Sequence, residues 1–272
     1  MANISPLSVV DPKAQLADDV EVGPFCTVGP NVIVGSGTRL ISHVVLSGNT
    51  KIGSGNVLFP GSTVGLQPQD LKYRGEQTGV ELGDNNHIRE HVTIHCGTAY
   101  GATIFGNGIT RLGNDNLLMI NSHLGHDCQV ANRCIVANNV MLAGHVVVGS
   151  NVIMNGGVGV NAFVSIGDFA YIAGYAQIHH DVPPFVRLSG MNRVRALNSV
   201  GLKRNGFTEA DIESLETAVR HLFINKKQAL AAKLHGYDMQ NGINEHVKAM
   251  IEFLKRRDSG KAGRYLEGLR GK

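Results

Sequence analysis

The chain has 272 residues, 43% of them apolar and 17% charged, with a net charge of only +3. So weak a charge excludes a chain-wide electrostatic grip on nucleic acid, and no apolar run approaches the ~20 residues of a membrane-spanning helix. Thirty-four Gly and no Trp fit a fold with close backbone approaches and a narrow interior.

The opening segment, MANISPLSVVDP, has no basic stretch followed by an apolar one, so no signal peptide and a cytoplasmic location are expected. From Ile4 onward one register dominates. Every sixth residue up to Ile178 gives thirty positions, of which twenty-six are Ile, Val, Leu or Met. Neither a helix nor a simple strand has this period. It is the pattern of a hexapeptide repeat, and it predicts a parallel β-helix over residues 1–184. Each hexad supplies a short strand whose aliphatic residue points inward and a turn. The register alone does not fix the coil; the resemblance to hexapeptide-repeat proteins implies three hexads per turn, so that residues eighteen apart stack. At about 4.8 Å per layer, roughly nine coils give a prism on the order of 40 Å long. A Gly often follows the aliphatic position, as at Gly23, Gly53, Gly83 and Gly125, where a corner is expected to demand unusual φ and ψ.

The four misses are Asp70, Glu76, Tyr100 and Gly106. They fall in two stretches, near 65–80 and 97–108, which are expected to leave the prism as loops. Long loops on a rigid scaffold tend to carry function. Four Cys (Cys26, Cys96, Cys128 and Cys134) have no CxxC spacing and read as small buried thiols in a reducing compartment.

The repeat ends near Asp181-Val-Pro-Pro184. Residues 185–272 read as a small helical domain capping one end of the prism. Apolar spacing predicts one helix between Thr208 and Leu234, opened by a capping box of Thr208 and Asp211. A second is predicted over about Ile243 to Arg257. Between Val182 and Thr208 there is no acid, while Arg187, Arg193, Arg195, Lys203 and Arg204 all lie there. That segment suits either an anionic partner or a solvated basic face.

The histidines separate by register. His87, His91 and His95 are four apart, a metal-site spacing on a helix, but hexads scatter them over different parts of a coil, and no metal site is expected. His123, His126 and His145 lie in MINSHLGHDCQV and LAGHVVVG. Stacking by eighteen puts Gly144 over His126 and His145 over Asp127. A carboxylate beside an imidazole orients it as a general base. A Gly one layer above leaves its backbone N–H open as an oxyanion donor.

These segments resemble the acyl-carrier-protein-dependent UDP-N-acetylglucosamine O-acyltransferases of lipid A synthesis. The matching stretches cover most of the chain: VGPFCTVGP at 22–30, QDLKY at 69–73, IREHVTIH at 88–95, NDNLLMIN at 114–121, HDC at 126–128, LAGHV at 142–146, DVPP at 181–184 and GLKRNGF at 201–207. The resemblance implies a mainly β fold, a left-handed parallel β-helix with a C-terminal α-helical domain. It also implies a homotrimer with sites between subunits. His126 corresponds to the general base, Asp127 to its orienting partner and Gly144 to the oxyanion donor. Asp70 and Lys72 correspond to contacts with the sugar and phosphate, and His123 and His145 to further site contacts. Asn161 stands in the substrate region. Asn198 and Arg204 correspond to nucleotide contacts from a neighbouring subunit, and Gly174 to the position that limits acyl length. No cofactor is implied, because the acyl donor is the 4'-phosphopantetheine-linked acyl carrier protein.

This chain departs from the family pattern at two places. Asn161-Ala162 replaces a common His-Gln pair, and Val200 and Asn205 replace a Glu and an Arg. His179, stacked over Asn161, and His180, stacked over Ala162, are the candidates to fill the first gap. The departures keep open an N-acyltransferase acting on a 3-amino UDP-sugar, or transfer to another nucleotide sugar. A more remote alternative is a trimeric zinc lyase of the γ-carbonic-anhydrase type, with three His across a subunit boundary. A purely structural, ice-binding prism would need a regular Thr array, which this chain lacks.

Overall fold

The computed structural model describes residues 1–105, 107–225, 227–238 and 242–270; Gly106, one of the register misses, lies outside them. Short strands, mostly of two residues, stack into three faces of eleven, nine and eight strands, parallel throughout except for the last strand of the first. Together they form the left-handed parallel β-helix. Pairing follows the expected stack. Val22 aligns with Leu40, Leu40 with Leu58, Leu124 with Leu142, and Leu142 with Val160.

The two loops account for the exceptions. Where a coil spans one, partners lie thirty residues apart instead of eighteen: Ile52 pairs with Leu82, Leu82 with Leu112, and Ile94 with Leu124. Each loop therefore adds twelve residues (30 − 18) outside the prism. The strands Thr63–Leu66 and Gly79–Leu82 bound the first loop, and Thr93–His95 and Ile109–Leu112 the second. Asp70 and Glu76 consequently occupy no slot of the repeat. The second loop holds a helix, α1 (Ala99–Phe105), in a stretch expected to be irregular.

Two positions per hexad face inward. Leu58, Ile88, Leu118, Leu124 and Leu142 are wholly buried at the first. Four residues on, the second takes smaller side chains, among them Cys26, Val44, Ser62, Cys128, Cys134 and Val146. The thiols are free and buried. Along one stretch the second position becomes a polar ladder. The Asn86 Nδ2 donates to Asn56 Oδ1 at 3.0 Å, and Asn116 Nδ2 donates to Asn86 Oδ1 at 3.0 Å. Each Oδ1 also accepts the backbone N–H of the coil above, so these buried amides are satisfied.

The corner conformation is not where the glycines predicted it. Left-handed φ values fall three residues after the aliphatic position, on Phe25, His43, Asn85, Asp127, His145 and Phe163 among others. The glycines directly after the aliphatic position serve close stacking. A Cβ on Gly35 would lie 2.7 Å from the Gly53 carbonyl carbon, and one on Gly125 would lie 2.8 Å from the Leu142 oxygen.

Past Pro184 the sheet continues. Val186–Ser189 pairs in parallel with Tyr171–Ile172 and then antiparallel with Arg193–Leu197. Helices α2 (Ser199–Arg204), α3 (Glu209–Val219), α4 (Leu230–Asp238), α5 (Glu245–Asp258) and α6 (Tyr265–Leu269) follow. The Thr208–Asp211 capping box is complete, with both reciprocal bonds made. The single helix expected up to Leu234 is interrupted: α3 runs on through a π turn to Ile224, and the chain then leaves helical geometry at Asn225. Leu215, Ala218, Leu222, Val247, Met250 and Leu254 form the helical core. This cap is tied to the last coil where Asp181 accepts from the Tyr265 N–H at 2.8 Å and donates its own N–H to Gly263 O at 2.8 Å. Among the described residues no helix is long and apolar enough to cross a membrane.

Candidate active site

The stacking places the key residues at one corner, on the hinge between two faces. Asp127 and His145 both take the left-handed corner conformation, with φ of 62° and 63°, and the His145 N–H donates to the His126 carbonyl at 2.9 Å. Asp127 is fully buried. Its Oδ2 lies 2.8 Å from His126 Nδ1, and a carboxylate can only accept, so Nδ1 carries the proton. The His126 Nε2 is then the basic nitrogen. The other carboxylate bonds come from the second loop: Thr98 N–H donates to Oδ1 at 2.9 Å and Thr98 Oγ1 to Oδ2 at 2.7 Å. The Asp127 N–H donates to Thr110 Oγ1 at 2.8 Å. A buried carboxylate is thus held by three donors and presents one imidazole to the cleft.

Gly144 lies directly against the His126 ring, which a Cβ there would overlap. Among the described residues its N–H has no hydrogen-bond partner. A base nitrogen and a free backbone donor therefore line one cleft of about 450 Å³, together with His95, His123, Asn161, Gln177 and His179.

The flanking imidazoles are neutral. Burial pushes His145 down to about 4, against the opposing pull of Asp127 3.7 Å away. The ring stacks on Phe163 at 4.5 Å and meets the edges of His126 and Tyr100. Burial also pushes His123 down to about 4, helped by His95 and His126, while its Nδ1 lies 2.7 Å from Thr93 Oγ1. His95 is lowered by burial first and by His126 second. Asp70 sits on the first loop. Burial would raise its carboxyl, but the Lys72 N–H at 2.9 Å, the Lys72 ammonium at 3.7 Å and the nearby His126 together hold it below the ordinary value. Lys72 Nζ lies 5.8 Å from the Tyr100 ring centre, which places both loops over the same corner.

Of the residues singled out from sequence, His123, His126, Asp127, Gly144, His145 and Asn161 meet here, and Asp70 and Lys72 approach. Three do not join the cleft within the chain. Gly174 is on an exposed turn. Asn198 is buried as the N-cap of α2, where its Oδ1 accepts from Gly201 N and its Nδ2 donates to Phe169 O. Arg204 ends that helix, exposed. The His87–His91–His95 series is dispersed, with only His95 at the cleft. Sequence reasoning missed Thr98, His95, Gln69 and Gln177. His95 was visible as one of twelve histidines but was set aside with its ladder, and a lone Thr in a loop carries no signal.

His126, Asp127 and His145 offer ligand atoms within 4.8 Å of one another. The carboxylate, however, is already bonded by Thr98 and His126, the arrangement of an oriented base.

Comparison with known proteins agrees with this geometry. A family model described as UDP N-acetylglucosamine O-acyltransferase, domain 2, matches residues 181–262, and a bacterial transferase hexapeptide model matches 109–144. An acyl-[acyl-carrier-protein]–UDP-N-acetylglucosamine O-acyltransferase of Akkermansia muciniphila is 47% identical over 96% of this chain and 99% of its own length. One of Thermodesulfovibrio yellowstonii is 46% identical over 84% of this chain and 87% of its own. The solved UDP-N-acetylglucosamine O-acyltransferase of Moraxella catarrhalis superposes with a TM-score of 0.87 at 38% identity, covering 93% of this chain and 96% of that one.

Proposed function

The chain belongs to the acyl-[acyl-carrier-protein]–UDP-N-acetylglucosamine O-acyltransferase family, and from that membership we propose how its cleft carries out the reaction. The enzyme moves a (3R)-hydroxyacyl chain from acyl carrier protein to the 3-hydroxyl of UDP-N-acetylglucosamine, the first step of lipid A biosynthesis. His126 Nε2 takes the proton of the sugar 3-hydroxyl as its oxygen attacks the thioester carbonyl. The Gly144 N–H stabilises the tetrahedral oxyanion. Collapse breaks the C–S bond, and the His126 imidazolium returns its proton to the pantetheine sulfur. Asp127 keeps the imidazole in the right tautomer and stabilises its charged form. No acyl-enzyme and no cofactor is required.

The observation that carries this reading is the pairing of an oriented imidazole with an unbonded glycine N–H across one cleft. Burial keeps His123 and His145 neutral, whereas His126 has its Nδ1 on the Asp127 carboxylate and its Nε2 left for the substrate. The Asp70–Lys72 pair on the first loop is assigned to the sugar and its phosphates. Gly174, on its exposed turn, is assigned to the acyl tail. Since Asn198 is engaged in capping α2, its role is to hold that helix, and Arg204 is the group free to reach a nucleotide. Arg204 lies outside the cleft of its own chain, which supports a homotrimer in which it serves a neighbour's site. In this reading residues 1–184 form the scaffold of the site and residues 185–272 the cap.

Replacing His126 with Ala should abolish acyl transfer while leaving the thermal midpoint within a few degrees of the parent. An active His126→Ala enzyme would overturn the mechanism. Sedimentation equilibrium giving a monomer would overturn the shared site. Offering UDP-N-acetylglucosamine beside its 3-amino analogue tests the acceptor, and the 3-hydroxyl should be used.

A further inference from the structure

We infer that His179 is a binding residue for the acyl donor, giving a hydrogen bond from Nε2 to an uncharged oxygen of the acyl-pantetheine, two coils above Gly144. The inference rests on the acyl-transfer reading of the cleft.

His179 follows the last aliphatic position of the repeat, Ile178, and is stacked over Asn161. The Asn161 Nδ2 lies 2.8 Å from His179 Nδ1. An amide nitrogen can only donate, so Nδ1 accepts and the neutral ring carries its proton on Nε2. That Nε2 is buried and, among the described residues, has no partner. A buried N–H left without an acceptor costs stability, so it stands as a donor reserved for something that enters the cleft. His179 and Asn161 line that cleft together with His126 and Gly144.

The ring is held from both sides of its backbone. The His179 N–H donates to Asn192 Oδ1 at 2.6 Å, and its carbonyl accepts from Arg264 Nη1 at 2.9 Å. Its neighbour turns the other way, with His180 Nδ1 2.8 Å from the Ala262 carbonyl. Of the two adjacent histidines only His179 faces the site, and the C-terminal cap fixes it there.

Its position decides the ligand. Asp70 and Lys72 reach the corner from the first loop, beside Tyr100 and His145, and they carry the charges a sugar nucleotide needs. On the Asn161–His179 side the cleft wall offers Gln177, Met141, Val160 and Gly159, uncharged groups suited to the acyl-pantetheine rather than to a diphosphate. A neutral N–H matches an amide carbonyl of the pantetheine arm or the 3-hydroxyl of the acyl chain.

The test uses the full-length enzyme with His179→Phe, which keeps a ring but removes the donor, and His179→Gln, which restores one. Affinity for a non-hydrolysable thioether analogue of 3-hydroxyacyl-phosphopantetheine is measured by calorimetry, alongside steady-state kinetics. The Phe variant should bind the analogue about tenfold more weakly, the scale of one neutral hydrogen bond lost from a buried donor. The KM for acyl carrier protein substrate should rise in step, with the KM for the sugar nucleotide within about twofold, and the Gln variant should regain most of the loss. An analogue lacking the 3-hydroxyl separates the two oxygens: a penalty that disappears assigns the hydroxyl, and one that persists assigns the pantetheine. Unchanged analogue affinity in His179→Phe, a penalty falling on the sugar nucleotide, or no recovery in His179→Gln would each overturn the inference. Because the calorimetry needs no turnover, an inactive parent enzyme would refute the acyl-transfer reading without touching this result.

Discussion

The two loops that leave the prism add the same twelve residues each, yet they are built on opposite principles. The first is the more exposed, although Pro68 and Thr78 are buried. Leu71 is 94% exposed, and its order comes from short-range bonds such as Lys72 N–H to Asp70 and Tyr73 OH to the Glu76 carbonyl. The second folds inward. Its helix α1 begins beside Thr98, whose N–H and hydroxyl both end on the buried Asp127 carboxylate, and Gly101 on that helix is packed against the same carboxylate. One loop presents charge to solvent, where a substrate can take it. The other is part of the catalytic machinery, because the carboxylate that orients His126 is solvated by loop atoms in place of water. Two insertions of equal size can therefore divide the work of a site, one recruiting and one orienting.

That division can be broken most severely at Gly101. A methyl group there would collide with the Asp127 carboxylate, so Gly101→Ala must displace either α1 or the carboxylate. A loss in kcat of at least about 100-fold is expected from misplacement on this scale, with the prism still folded by circular dichroism. Thr98→Val is milder, since it keeps the shape and the N–H bond but removes one donor from a buried charge. We expect kcat to drop about tenfold and stability by about 1–3 kcal/mol, read by kinetics and denaturant titration. If Thr98→Val changed KM for the sugar nucleotide instead, the orienting role of the second loop would be wrong.

For the first loop, Lys72→Ala should raise KM for UDP-N-acetylglucosamine several-fold, the scale of one exposed charge contact, with little change in thermal midpoint. The flanking histidines give a test by pH. Free imidazole titrates near 6.5, whereas folded His123 and His145 do so at about 4. The unfolded chain thus binds more protons between those values, and stability must fall as pH drops from about 6.5 to about 4. Above that window these two residues add no pH dependence. Urea midpoints at pH 7, 5.5 and 4.5 should decline in that order, and a flat series would mean the rings are solvated. The smallest effect is expected at Leu71→Ser, where removing an exposed apolar tip should leave both kinetics and stability unchanged.

Much of this was legible before any coordinates, because a six-residue period assigns every residue a face and a level. It put Gly144 on His126 and His145 on Asp127, and both contacts exist. What it could not carry was anything outside the period. Helix α1 spans AYGATIF, a sequence with a central Gly and β-branched residues, which helix propensity disfavours; it forms because it has Asp127 to seat against. Thr98 gave no signal for the same reason. The glycines misled about the corner, since a repeat that forces left-handed φ on Asn, His and Phe alike has no need to reserve glycine for it. Asn198 resembles a nucleotide contact, and nothing in the period announces that its side chain also caps α2 and donates to Phe169 O within its own chain.

The strict eighteen-residue stack has a further consequence for what the enzyme can recognise. Groups on one face can appear only at heights separated by whole layers of about 4.8 Å. His126, Gly144 with His145, and Asn161 occupy three successive heights, and His179 a fourth. Affinity for a new donor or acceptor cannot be tuned by sliding a residue along the axis, as it can on a loop. It must come from swapping which side chain stands at a given height, or from the two loops, which alone are free of the graduation. A deletion of eighteen residues above the cleft would lower every later group by one graduation and keep its face, whereas a deletion of six would carry each of them round to a different side of the prism.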